Sequence, residues 1–113
     1  MLRHGYPKEH RIRKRSEYLQ LAEDGKRLFG RHFILVLAPG EQGVSRLGIT
    51  VTKKIGNAVT RNRIKRICRD YFRTHKDQLG AVFDIHVIAR RTSAQAATDE
   101  LTESLDKLFS QIK

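Results

Sequence analysis

A chain of 113 residues has room for one domain around one modest core. Its 23 Lys and Arg against 12 Asp and Glu give a formal net charge of +11, more than solubility requires, which favours a nucleic acid or an anionic surface as partner. A single cysteine excludes an internal disulfide framework and fits a reducing compartment. No stretch approaches the roughly 20 apolar residues that cross a bilayer, and no apolar segment follows the basic N-terminus, so the expected location is the cytoplasm.

The charge is uneven. Residues 1–76 hold nineteen basic against six acidic side chains, whereas residues 77–113 hold four against six. The basic part also contains apolar runs, Phe33–Leu37 and Leu47–Val51, so the charge sits on a folded body and not on a disordered tail.

Residues 1–10, with Gly5 and Pro7, read as an irregular arm. Residues 16–24 read as a short helix with Ser16 as N-cap and Gly25 as its stop, entered through the basic run Arg11, Arg13, Lys14 and Arg15. Tyr18 on this helix is either a core tyrosine or a stacking platform for an unpaired base, and the pattern leaves both open. Leu28-Phe29 suggests an outer strand. Phe33–Leu37, bounded by Pro39-Gly40, reads as a strand ending in a turn. After a polar loop at 41–45, Arg46–Lys54 alternates as a strand with Leu47, Ile49 and Val51 on one side.

The run from Lys53 to Arg69 holds seven of the 23 basic residues and no acidic one. Gly56-Asn57 reads as a corner, since both residues tolerate left-handed backbone angles. A helix follows from Ala58 or Val59 to about His75. At 100° per residue, Ile64, Ile67, Cys68 and Tyr71 share a core-facing arc, while Asn62, Arg66, Arg69 and Arg73 lie opposite, with Lys65 at the edge. Like charges so spaced disfavour a helix by roughly 0.2–0.5 kcal/mol per pair, a penalty that a bound polyanion removes. Arg also presents forked donors that suit phosphate. Phe83–Ala89 reads as a late strand with Phe83, Ile85 and Val87 on one face, and Asp99–Ile112 as a closing helix with Thr98 as N-cap.

Catalytic groups are sparse. A protein nuclease needs clustered carboxylates for divalent ions or a histidine acid/base pair, and the acidic residues here are scattered. Asp84 and His86 share a strand face, but sheet-surface roles explain them. The histidines have no metal-site spacing, no Gly-rich nucleotide motif occurs, and Cys68 reads as a buried small hydrophobe. No catalytic and no metal-binding residue is assigned.

The segment Lys53-Lys54-Ile55-Gly56-Asn57-Ala58-Val59-Thr60-Arg61-Asn62-Arg63-Ile64-Lys65-Arg66 closely resembles the signature of the bacterial ribonuclease P protein subunit. Arg11–Gly25, Arg46–Lys54, Asp84–Arg91 and Asp99–Ile112 resemble that family's first helix, central strand, late strand and closing helix. The resemblance implies a two-layer α+β domain of order α-β-β-β-α-β-α, similar to the second domain of ribosomal protein S5, with an unusual left-handed β-α-β crossover. It implies a partnership with a catalytic RNA and with the single-stranded 5′ leader of precursor tRNA. The protein is expected to be a monomer within the ribonucleoprotein, with Mg²⁺ held mainly by RNA and no activity by itself. Lys53, Lys54, Arg61, Asn62, Arg63, Lys65, Arg66, Arg69 and Arg73 are then expected to face the catalytic RNA. Arg11, Arg13, Lys14, Tyr18, Phe33 and Val36 are expected to face the leader. Where the family often carries a second aromatic residue one turn after Tyr18, this chain has Ala22, which reduces the stacking surface there. The competing reading is a structural or ribosomal-like RNA-binding protein with no part in tRNA cleavage.

Overall fold

The apolar runs pair into one four-stranded sheet in the computed structural model, which describes residues 8–41 and 43–112. The elements are α1 (Arg15–Asp24), β1 (Lys26–Phe29), β2 (Phe33–Pro39), β3 (Arg46–Thr50), α2 (Ala58–His75), β4 (Phe83–Ala89) and α3 (Thr98–Phe109), in the α-β-β-β-α-β-α order expected. Most of the expected irregular arm lies outside the described residues, and Lys8–His10 within it forms a 3-10 turn.

The strand order is β1-β2-β4-β3. β1 and β2 pair antiparallel, as do β2 and β4, whereas β3 and β4 are parallel, so the sheet is mixed. A parallel pair needs a crossover, and α2 supplies it between the edge strand β3 and the interior strand β4. One isolated bridge, Arg11 to Leu47, lays the entry segment along the outer edge of β3, where the Ile12 N–H donates to the Leu47 carbonyl at 3.0 Å.

Strand alternation splits the apolar residues between two faces. Phe33, Leu35 and Leu37 of β2 and Phe83, Ile85 and Val87 of β4 pack against Ile64, Ile67, Cys68, Tyr71 and Phe72 of α2 and Leu101, Leu105, Leu108 and Phe109 of α3. A second, smaller cluster on the other face joins Ile12, Leu21 and Val36, with Tyr18, Ala38 and Ile88 against it. The expectation of two layers is thereby corrected. α1 lies on the face opposite α2 and α3, because the residues between the core positions of β2 and β4 include Val36 and Ile88, whose apolar surface also needs cover.

Several boundaries move for local reasons. α1 and α3 begin earlier than Ser16 and Thr98 would place them, with Lys14 and Ala97 at the cap positions. In each case a glutamate three residues on receives the cap residue's backbone N–H, Glu17 at 3.4 Å and Glu100 at 2.8 Å. β3 ends at Thr50, and the Ile55 N–H bonds back to the Thr52 carbonyl at 3.0 Å, so Lys53 and Lys54 occupy a turn and not a strand end. The Gly56-Asn57 corner needs no left-handed residue. Asn57 is extended (φ −75, ψ 177) and caps α2 by accepting the Thr60 N–H at 2.9 Å.

Candidate nucleic-acid interface

α2 is held by its apolar arc, so its basic arc points away from the sheet. Asn62, Arg66 and Arg73 are exposed, Lys65 and Arg69 are half-buried at the flanks, and Lys53 and Lys54 are exposed in the preceding turn. Among the described residues the ion pairs join Arg46 to Glu17, Arg46 to Asp84 and Lys76 to Asp77, so none neutralises this surface. Asp70 is the one acidic residue of α2 and forms none of these ion pairs, so the rigid helix keeps the net positive surface that a phosphate backbone requires.

Arg61 and Arg63 differ from their neighbours. The Arg61 Nε donates to the Gly56 carbonyl at 3.1 Å, clamping the turn onto the helix. The Arg63 Nη2 donates to the Ala96 carbonyl at 3.1 Å and to Thr98 Oγ1 at 3.2 Å, tying α2 to the start of α3. Each keeps further N–H groups for an external acceptor. Helical phasing places Arg63 at the flank of the basic arc and Arg61 beside Cys68 on the core side, and it gave no signal for these bonds, which depend on the preceding turn and on a loop remote in sequence.

α1 covers the opposite face of the sheet only in part, and the half-exposed Tyr18, Ile34, Thr50, His86 and Ile88 line the cleft that this leaves. Arg46 anchors that helix: its Nε and Nη2 bond both oxygens of Asp84 at 3.0 and 2.9 Å, and its Nη1 reaches Glu17 at 3.0 Å. Burial acts to raise the Glu17 pKa. The Arg46 hydrogen bond and charge, with the Lys14 and Arg13 backbone, outweigh it and hold the carboxyl below the usual glutamate range. The Tyr18 hydroxyl donates to the Ile12 carbonyl at 2.9 Å, and its ring meets His86 edge-on at 4.8 Å. His86 shares a 2.7 Å hydrogen bond with Thr50, and burial together with the nearby Arg27 lowers its pKa, which favours the neutral ring. Gly48 lies under Tyr18, where a Cβ would approach the hydroxyl to 2.5 Å, so only glycine admits the ring at this depth. Tyr18 is thus half-buried: one edge packs on the sheet and the rest borders the cleft.

Of the other residues expected at the leader, Arg13 and Lys14 are exposed at the entrance to α1, and Arg11 is exposed along the β3 edge. Two expectations are corrected. Phe33 is 0% exposed and belongs to the main core on the α2/α3 face. Val36 is on the α1 face but is 1% exposed, packed with Ile12 and Leu21. Neither offers a surface to RNA. On that face Ile34, His86 and Ile88 are half-exposed instead, and Phe29 is exposed. The sequence missed these because a continuous apolar run does not reveal which parity faces the helices.

Asp84 and His86 share a face as expected, but Asp84 is engaged by Arg46 and His86 by Thr50, so they form no acid/base pair. Cys68 is buried, and desolvation pushes its thiol up to about 12 despite Arg69 nearby, which leaves it unreactive. Among the described residues no three His, Cys, Asp or Glu side chains form a metal-binding group, and no helix is long and apolar enough to cross a membrane.

Fold and surface together define an RNA-binding α+β protein that offers one basic helix and, on the other side of the sheet, a separate cleft. The family model described as Ribonuclease P matches residues 6–113. The ribonuclease P protein component of Desulfatibacillum aliphaticivorans is 52% identical over 107 residues, covering 95% of this chain and 91% of that protein. The Staphylococcus aureus RNase P protein, as a mutant with defective mRNA degradation activity, superposes with a TM-score of 0.86 at 35% identity, over 91% of this chain and 87% of that one. The Thermotoga maritima RNase P protein in complex with 1-(4-fluorophenyl)-2-thiourea gives a TM-score of 0.84 at 33% identity, over 91% and 100% of the two chains. The chain belongs to the bacterial ribonuclease P protein family. It is a subunit of the holoenzyme that matures the 5′ end of precursor tRNA, and its activity depends on the RNA subunit.

Proposed function

We propose that the two faces divide the two RNAs: the outward arc of α2 docks the catalytic RNA, and the cleft between α1 and the sheet receives the 5′ leader. The observation that carries this reading is the net-positive arc, Asn62, Arg66, Arg69 and Arg73 with Lys65 beside it and Asp70 as its one acidic residue, fixed on a helix whose other side is core. Lys53 and Lys54 extend that surface at the helix entrance. Arg61 and Arg63 hold its shape and direct their remaining N–H groups toward the same RNA. In the cleft, Tyr18, with Arg11, Arg13 and Lys14 at its mouth, meets unpaired nucleotides by stacking and by phosphate contact, so leaders of varied sequence are accepted.

Both RNAs are dense polyanions, and a protein bridging them lowers the electrostatic cost of bringing them together. That role favours substrate binding and reduces the Mg²⁺ needed for a productive complex. The scattered acidic side chains do not fit a divalent-ion site, so we assign the Mg²⁺ of the hydrolytic step to RNA and substrate oxygens. On the family resemblance of the sequence, we assign the β3-α2-β4 crossover the left-handed sense of the second domain of ribosomal protein S5. We further assign the protein to the cytoplasm, as a monomer in its ribonucleoprotein.

The deciding experiment is reconstitution. Leader removal is measured at low Mg²⁺ with RNase P RNA alone, protein alone, and both. Appreciable cleavage is expected only for the combination. Equal cleavage with and without protein would favour a structural RNA-binding protein instead.

A further inference from the structure

Three large apolar side chains stand exposed among the described residues, Leu19 at 55%, Phe29 at 64% and Val59 at 78%. Single exposed hydrophobics are ordinary on a protein surface. Phe29 differs by its position. It ends the edge strand β1, and the pairing Phe29 with Ile34, Ile34 with Ile88, and Ile88 with Thr50 draws one row across the whole sheet. Residues directly opposite in a sheet share a face, so this row lies on the α1 side, next to the row that holds His86 and Gly48 beneath Tyr18. Ile34, Ile88 and Thr50 all keep part of their surface open. Leu28, one residue earlier, turns to the core side, as alternation requires.

The surroundings of Phe29 select the occupant. Arg27, two residues before it, lies on the same face and is exposed, and Arg31 is exposed just beyond the strand. Phe29 also borders a cavity at α3 lined by Glu100 and Glu103 as well as Arg31 and Lys107, but on the sheet face its neighbour is Arg27. An aromatic ring beside a cation, continuous with a cleft floored by apolar and hydrogen-bonding side chains, matches single-stranded nucleic acid, which presents bases to stack and phosphates to neutralise. A second copy of this chain is disfavoured at the same edge, because Lys26 and Arg27 charge β1 against strand addition. Ala22, one turn beyond Tyr18 on α1, leaves that helix with a single aromatic at the cleft, and Phe29 supplies aromatic surface from the sheet.

Resting on the assignment of the cleft to the leader, we propose that Phe29 is a base-stacking platform that extends the leader track from Tyr18 across the sheet to the β1 edge. β1 and β3 are the two edges of a four-stranded sheet, roughly 14 Å apart at the usual strand spacing. Short leaders therefore reach Tyr18 but not Phe29, and the contribution of Phe29 begins only beyond a threshold length.

The test uses the reconstituted holoenzyme and precursor tRNAs whose leaders are lengthened one nucleotide at a time, with mature tRNA as the reference. Phe29→Ala should leave mature tRNA, short leaders and catalytic-RNA binding unchanged, and should abolish the late gain in affinity, a loss of about tenfold for long leaders. Phe29→Tyr should restore it and Phe29→Leu should not, because stacking needs a flat ring and not merely apolar area. A fluorescent base analogue placed along the leader should be quenched at one distal position, and that quench should vanish in Phe29→Ala. If Phe29→Ala binds every leader like the parent while Tyr18→Ala loses the leader-dependent gain, the platform is refuted and the cleft assignment stands. If the parent holoenzyme does not distinguish precursor from mature tRNA, the cleft assignment itself fails. A dimer of the free protein that Phe29→Ala dissolves would reassign the patch to self-association.

Discussion

Arg46→Met removes three charged hydrogen bonds, two to Asp84 and one to Glu17, while keeping an aliphatic stem of similar length. The side chains of Arg46 and Asp84 are only 11% and 18% exposed, and that of Glu17 is 29% exposed. Breaking a fully buried pair costs about 3–5 kcal/mol and breaking an exposed one about 0–1. The bidentate Asp84 arm falls between these limits and the Glu17 arm nearer the lower one, so the variant should lose about 2–3 kcal/mol, or roughly 10 °C in Tm for a domain of this size. Denaturant and thermal unfolding of the free protein measure it. Asp84→Asn should cost more than Glu17→Gln, and the double-mutant cycle should show coupling on both arms.

The same contact sets an acid dependence. Glu17 has a lowered pKa in the fold, so its stabilisation is present above the ordinary glutamate value and is lost as pH falls through the folded value. The parent should therefore lose stability in that acidic window, and Arg46→Met should show a flatter limb there. Because Arg46 pins α1 over the cleft, leader affinity should fall while catalytic-RNA affinity holds. Unfolding energies within about 0.5 kcal/mol of the parent, the ordinary range of surface changes, together with an unaltered acid limb, would refute the reasoning.

Arg66→Ala with Arg69→Ala should preserve the fold but reduce the slope of log affinity for RNase P RNA against log salt by roughly 1.5, at about 0.7–0.9 per phosphate contact. Filter binding across a salt series reads this, and an unchanged slope would move the interface off α2. Gly48→Ala places a Cβ 2.5 Å from the Tyr18 hydroxyl, so it should cost about 1–3 kcal/mol of stability and narrow the affinity gap between precursor and mature tRNA.

The phase of α2 was legible because helical amphipathicity is local. Ile64, Ile67, Cys68 and Tyr71 are buried and Asn62, Arg66 and Arg73 exposed, as periodicity alone predicts, with Phe72 the core residue it missed. The basic character of the surface was equally plain in composition and spacing. The parity of β2 was not legible. Phe33–Leu37 is apolar at every position, and a shift of one residue exchanges the two faces, so only pairing with β4 and the packing of α2 and α3 turned Phe33 inward and left Ile34 at the cleft. The role of Arg46 likewise arises from contacts 29 and 38 residues away in sequence. By itself the sequence determined that the chain carries an ordered basic helix, since charge and periodicity are properties of neighbouring residues. Only the tertiary structure decided where the cleft lies and what lines it, since the cleft forms when strands distant in the chain share one face.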